Sequence, residues 1–137
     1  MTTVVFACVH NAGRSQMAAA FFNALADPGC ARAISAGTDP AEHVHPEVVH
    51  VMQEVGLDLT HTKPQRLTED RARGAQLLVT MGCGEECPVV PGLEREDWSL
   101  PDPKERPREQ VRAIRDLVRR RVEALVRARG WKRSRSL

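Results

Sequence analysis

The sequence lacks any run of about 20 consecutive apolar residues, the length that a membrane-spanning helix needs. It also lacks a basic leader ahead of its first short apolar stretch, so we expect no secretory signal peptide and a cytoplasmic protein. Its 42% hydrophobic residues exclude a disordered chain, and its 137 residues are too few for two domains. We therefore expect one domain over residues 1–130 and a disordered basic tail over 131–137.

Cysteine is scarce, and its four positions are Cys8, Cys30, Cys83 and Cys87. In a reducing cytoplasm we expect free thiols, which favours catalysis or metal binding over structural disulfides. Cys83 and Cys87 could be zinc ligands, but the histidines show no spacing that would supply two more, so we expect no metal site. Cys30 has no partner in the sequence, and we expect it to be a buried spectator.

Positive charge is rare in the first three quarters of the chain. Residues 1–105 contain 8 Lys and Arg against 15 Asp and Glu, whereas residues 106–135 contain 12 against 3. A basic segment can bind nucleic acid, but this one also carries apolar residues at helical spacing. We interpret it as a solvated helix face and expect no nucleic-acid partner.

Apolar patterns of strand and helix type alternate along the chain. We predict strands over 3–8, 31–36 and 76–81 and a short one around Trp98. We predict helices over 15–26 and 46–56, a short one beginning at Thr68 and a long one ending at Gly130, with a long loop over 82–97. This alternation predicts an α/β fold, a three-layer sandwich with helices on both faces of a mainly parallel sheet of about four strands.

The loop after the first strand carries residues that suit a tetrahedral oxyanion. Cys8 ends the strand, and Arg14 follows after five residues, at the start of a helix. Backbone N–H groups and the helix N-terminus can cradle an anion, while Arg14 holds two of its oxygens and Gly13 lets the backbone turn. The same donors favour a nucleophilic Cys8 thiolate, to which Ser15 can donate a hydrogen bond. The candidate substrate-binding residues are Val9, His10, Asn11, Ala12, Gly13 and Arg14.

The alternative is structural: Cys8 as a small buried hydrophobe and Arg14 as a surface residue. The surrounding strand, glycine, serine and helix favour the functional interpretation, because the context of a motif is what supports it.

Several motifs together resemble the arsenate reductases built on the low-molecular-weight protein tyrosine phosphatase fold. They are VHNAGRSQMA at 9–18, the CxxxxxR loop with the Ser that follows it, SAGT at 35–38, MGCGEECP at 81–88, EDW at 96–98 and PDP at 101–103. The resemblance spans nearly the whole chain. The CxxxxxR loop is shared with all such phosphatases, whereas HNAGRSQMA and the paired cysteines are more specific to the reductases.

The resemblance implies a relay of thiols, since reduction of arsenate takes two electrons and formation of one disulfide releases two. Cys8 attacks arsenate, Cys83 attacks Cys8 and frees arsenite, and Cys87 then attacks Cys83. Thioredoxin, or mycothiol with mycoredoxin, would reduce the resulting disulfide, and no tightly bound cofactor is implied. The family often has a potassium-binding Glu after QMA; this chain has Ala19 there, which argues against a potassium site.

Asp102 lies between Pro101 and Pro103, which stiffen its loop. The family uses the Asp of this motif as proton donor to the leaving oxygen, so the resemblance implies that Asp102 is the general acid. A turn-forming Asp is the alternative.

Two other functions stay open beside arsenate detoxification. A low-molecular-weight protein tyrosine phosphatase would share Cys8, Arg14 and Asp102, but such enzymes place aromatic residues around the cleft, and this chain has no Tyr and has Lys104 after the DP motif. A non-enzymatic, thiol-based arsenite-binding regulator would use the basic helix on nucleic acid and show no turnover.

Overall fold

The computed structural model describes residues 2–82 and 92–133. Its elements are β1 (Thr2–Cys8), α1 (Arg14–Leu25), β2 (Ala31–Gly37), α2 (Pro46–Gln53), α3 (Glu69–Arg73), β3 (Leu77–Thr80), β4 (Glu94–Asp97) and α4 (Arg108–Ala128). None of the helices in these two ranges combines the length and apolarity that a bilayer span requires.

The four strands form one parallel sheet in the order β2-β1-β3-β4. β1 is central, and its residues Val4, Val5, Phe6 and Ala7 are fully buried. This burial follows from the β-branched and apolar run of β1, which suits a strand covered on both faces. The predicted α/β class with a parallel four-stranded sheet is confirmed.

The core lies on both sides of the sheet. The larger apolar cluster joins Phe6 of β1 to Phe22 of α1 and Val118 of α4, and the smaller joins Val5 and Ala7 to residues that include Leu67 and Leu78. α1 and α4 pack against each other on the larger side. Because β1, β2 and β3 are parallel neighbours, their carboxyl ends meet at one edge of the sheet, where open parallel sheets bind ligands.

The arginines of α4 pair with acidic residues of neighbouring elements. Arg108 bonds Glu47, and both Arg112 and Arg115 bond Glu54 of the segment after α2. Hydrogen bonding from Arg112 lowers the pKa of Glu54 from its ordinary value to about 2. The acidic first part and the basic last part of the sequence thus neutralise each other across this surface.

The fourth strand and its loop differ from the prediction. β4 is Glu94–Asp97, so Trp98 follows the strand instead of forming it, and the loop expected over 82–97 ends by residue 93. The cause is that β4 is an edge strand whose charged residues are mostly exposed, so it shows no alternation of apolar residues. Trp98 is buried against Phe6, with ring centroids 5.6 Å apart.

The expected tail also differs at its start. The rings of Trp131 and Phe22 pack with their centroids 5.8 Å apart. The backbone carbonyl of Trp131 accepts a hydrogen bond of 2.7 Å from the backbone N–H of Asp27, and Lys132 forms a β-bridge with Ala26. Residues 131–133 are thus packed on the domain, while 134–137 lie outside the described residues. Cys30 is exposed, so the expectation that it is buried is wrong.

Candidate active site

The loop from Cys8 to Arg14, called the Cys8–Arg14 loop below, joins β1 to α1 as predicted. Its carbonyls are bound by the chain after β2: those of Cys8, Val9, His10 and Ala12 accept hydrogen bonds of 2.8–3.2 Å from backbone N–H groups of residues 38–45. In a trans peptide the C=O and the next N–H point in opposite directions. The loop therefore turns the N–H groups that follow these four carbonyls away from residues 38–45, an arrangement that can bind an anion.

Cys8 is 3% exposed at the end of β1, and its Sγ lies 2.8 Å from Oγ of Ser15. The direction of this hydrogen bond follows from Asn11. Its Oδ1 accepts from the backbone N–H of Gln65, which can only donate, so its Nδ2 faces Ser15 and donates to Oγ at 2.8 Å. Because that contact occupies an acceptor site of Ser15, the hydroxyl hydrogen is available to Cys8. Ser15 can therefore donate a hydrogen bond to the Cys8 sulphur.

Asn11 is the structural centre of the loop. It is fully buried, and its φ of 51° lies in the left-handed region, which Asn tolerates better than most residues. Gln16 Nε2 donates to both the carbonyl and Oδ1 of Asn11, at 3.0 and 3.1 Å. Sequence reasoning placed Asn11 among the anion-binding residues but missed its support by Gln16 and Gln65. Asn11 and Gln65 lie 54 positions apart in the sequence, so no local signal joins them.

Arg14 and Asp102 lie close together. Arg14 Nη1 donates to the carbonyl of Leu100 at 3.0 Å, and Nη2 lies 3.7 Å from Asp102 Oδ2. The Arg14 side chain is 11% exposed. Asp102 also accepts a hydrogen bond of 3.0 Å from the backbone N–H of Lys104, a turn contact. The carboxylate thus shapes its turn and at the same time faces the Arg14 guanidinium.

Pro103 packs directly on the Cys8–Arg14 loop. A Cβ at Gly13 would lie 2.6 Å from Pro103 Cγ, so close packing is a reason for glycine here in addition to the expected turn. His45, which sequence reasoning missed, lies beside Gly13 and donates its backbone N–H to the Ala12 carbonyl. Burial lowers the pKa of His45 from its ordinary value, which favours its neutral imidazole.

The two later cysteines of the predicted site, Cys83 and Cys87, lie outside the described residues. Within ranges 2–82 and 92–133, no group of three or more His, Cys, Asp and Glu side chains could hold a metal ion.

Comparison with known proteins agrees with this geometry. The sequence matches the family of low molecular weight phosphotyrosine protein phosphatases over residues 3–135. The chain belongs to this family. It is 40% identical over 121 residues to a putative arsenate reductase of Halobacterium salinarum, covering 85% of each chain. It is 33% identical over 129 residues to the glutaredoxin arsenate reductase of a Synechocystis species, covering 92% of this chain and 97% of the relative.

Among solved structures, the fold matches the thioredoxin-dependent arsenate reductase of Corynebacterium glutamicum with a TM-score of 0.80 and 35% identity. The match covers 93% of this chain and 61% of the other, so the chain spans about three fifths of that protein's length. The resemblance inferred from the motifs is confirmed.

Proposed function

We propose that this family member is an arsenate reductase that uses Cys8 as nucleophile and serves arsenic detoxification. The observation that supports Cys8 most directly is the 2.8 Å contact from Ser15, whose hydrogen is directed to the sulphur by Asn11. The names of the relatives at 40% and 33% identity support arsenate as the substrate.

In the first step, the Cys8 thiolate attacks the arsenic atom of arsenate and a hydroxide leaves. Arg14 and the N–H groups of the Cys8–Arg14 loop hold the remaining oxygens, where their positive character stabilises the added charge. Asp102, 3.7 Å from Arg14, supplies the proton that converts the leaving hydroxide to water. The product is an As(V) adduct on the Cys8 sulphur.

The next steps move two electrons from sulphur to arsenic. The Cys83 thiolate attacks the Cys8 sulphur, an S–S bond forms, and the electron pair of the broken S–As bond stays on arsenic, which leaves as arsenite. The Cys87 thiolate then attacks Cys83, so that Cys8 is regenerated and a Cys83–Cys87 disulfide remains. An external thiol system, thioredoxin or mycothiol with mycoredoxin, reduces that disulfide in the cytoplasm.

The proposal includes neither a bound cofactor nor potassium. Asn11 Oδ1 accepts N–H groups from both Gln65 and Gln16, so protein donors already fill its acceptor positions. Together with Ala19 in place of the family's Glu, this supports a loop that holds its shape without a cation.

The test is to incubate the fully reduced protein with arsenate and to count arsenite released and thiols lost. We expect one arsenite and two lost thiols per molecule without a reductant, and repeated turnover with thioredoxin or with mycothiol and mycoredoxin. Hydrolysis of a phosphate ester without arsenite release would favour the tyrosine phosphatase. Salt-sensitive DNA binding without turnover would favour the arsenite-binding regulator.

The order of the relay is tested with two serine variants. Cys87→Ser should release one arsenite and stop as a Cys8–Cys83 disulfide, which peptide mapping identifies. Cys83→Ser should lose arsenite release altogether when no external thiol is present. A Cys8–Cys30 disulfide in the stalled Cys87→Ser protein would contradict this assignment. Full turnover of Cys83→Ser with mycothiol would mean that a small thiol attacks the arsenic adduct directly.

A further inference from the structure

The guanidinium of Arg14 lies directly against the backbone of Gly82, which follows β3 at the carboxyl edge of the sheet. A Cβ built on Gly82 would lie 2.7 Å from Arg14 Nη1 and 3.3 Å from Cζ and Nη2. The first distance is shorter than real Cβ contacts allow. Any side chain at position 82 therefore displaces the guanidinium from the place that it occupies.

The displaced group would lose its other contacts as well. Nη1, the nitrogen closest to Gly82, is also the one that donates to the Leu100 carbonyl at 3.0 Å. The same guanidinium lies 3.7 Å from the Asp102 carboxylate. The guanidinium of Arg14, at the start of α1, thus contacts two other segments of the chain: the residues around Asp102 and the residue Gly82 after β3.

We propose that Gly82 is a positioning residue for oxyanion binding, because the absence of its side chain leaves Arg14 room to hold the anion in a fixed plane. The inference rests on the proposed function only in that Arg14 binds the oxyanion. Two-pronged recognition of an anion depends on the orientation of the guanidinium plane. Gly82 also immediately precedes Cys83, so the residue that sets Arg14 is the sequence neighbour of the proposed relay cysteine.

A substitution here should separate binding from stability. The guanidinium is the far end of a flexible side chain, so a new methyl group can push it aside without moving the core. The remaining folding cost comes from the backbone. The φ of Gly82 is +103°, a value that favours glycine over any residue with a side chain. Gly92 supplies a matched control: its φ is +82°, and a Cβ there meets nothing within 4 Å.

The experiment measures alkylation of Cys8 by iodoacetamide in the full chain, read by mass spectrometry against increasing inorganic phosphate. In Gly82→Ala the phosphate concentration for half-protection should rise about tenfold or more, the effect of losing one charge-assisted hydrogen bond. In Gly92→Ala it should stay at the wild-type value, while both variants lose a similar amount of stability to urea. In arsenate turnover, Gly82→Ala should raise KM more than it lowers kcat.

A double-mutant cycle shows whether Gly82 acts through Arg14. In an Arg14→Lys background, Gly82→Ala should weaken phosphate protection little further, because the guanidinium is already gone. Equal weakening in both backgrounds, or equal behaviour of Gly82→Ala and Gly92→Ala, would overturn the inference. Failure of phosphate to protect wild-type Cys8 would instead refute the proposed oxyanion site. If Gly82→Ala does not fold, Gly82→Asn places the same Cβ on a residue that tolerates positive φ better, and the same outcomes apply.

Discussion

The Cys8–Arg14 loop and the surface between α2 and α4 hold polar side chains in opposite ways. Asn11 of the loop and the adjacent α1 residues Ser15 and Gln16 are at most 2% exposed, uncharged and hydrogen-bonded to one another or to backbone. Between the helices, Glu47 and Arg108 form an ion pair with side chains 44% and 45% exposed. The loop region has few polar side chains, and each has defined hydrogen-bond partners. The helix surface has many charged side chains, and they are in contact with water.

This difference determines what each region contributes. A buried donor or acceptor that loses its partner costs about 1–3 kcal/mol, so the loop has one low-energy arrangement. An exposed ion pair contributes about 0–1 kcal/mol and is screened by salt. The loop can therefore fix the hydrogen on Ser15 and the plane of Arg14, while the helix surface mainly balances charge. Substitutions of similar size should have unequal effects in the two regions.

The largest expected effect comes from replacing Asp102, and the comparison uses one acid paired with an arginine from each region. Asp102→Asn should slow arsenate-dependent thiol loss about 10²- to 10⁴-fold, the usual contribution of a general acid, while phosphate still protects Cys8. Half-exposed Asp116, which pairs with Arg115 of α4, is the control, and Asp116→Asn should leave the rate unchanged. An unchanged rate in Asp102→Asn together with lower stability would assign Asp102 to its turn alone.

A smaller effect is expected from the hydroxyl beside Cys8. Ser15→Ala removes the hydrogen bond to the sulphur and leaves Nδ2 of Asn11 without its acceptor, so unfolding free energy should fall by about 1–3 kcal/mol. Alkylation of Cys8 at neutral pH should slow in the same variant. Exposed Ser99 is the control, because Ser99→Ala removes a hydroxyl from the surface. Unaltered alkylation in Ser15→Ala would show that Ser15 only supports the loop.

The contrast between the regions also explains what the sequence could predict. The parallel sheet and the positions of Cys8 and Arg14 follow from local signals, an apolar strand and a short loop, whereas the assignment of Asp102 rests on the resemblance to the arsenate reductases. Gln65 and His45 contribute to the same site through contacts between distant segments, which no local pattern encodes. Likewise the fourth strand was predicted around Trp98 but lies at Glu94–Asp97, because its charged residues form an exposed edge without apolar alternation.

The smallest expected effect concerns Glu54 on the helix surface, whose pKa is lowered to about 2 by hydrogen bonding from Arg112. A carboxyl with a lowered pKa in the folded state stabilises that state above its unfolded pKa, and the contribution is lost as pH falls through the folded value. Glu54→Gln should therefore lower the urea midpoint slightly at pH 7. The midpoints of wild type and variant should converge as pH falls toward about 2. The same shift should shrink in high salt, since exposed pairs are screened.

Arsenate turnover should not change, and exposed Glu42 serves as control through Glu42→Gln. A loss of turnover in Glu54→Gln as large as that expected for Asp102→Asn would show that the two regions are coupled, and the contrast between them would fail.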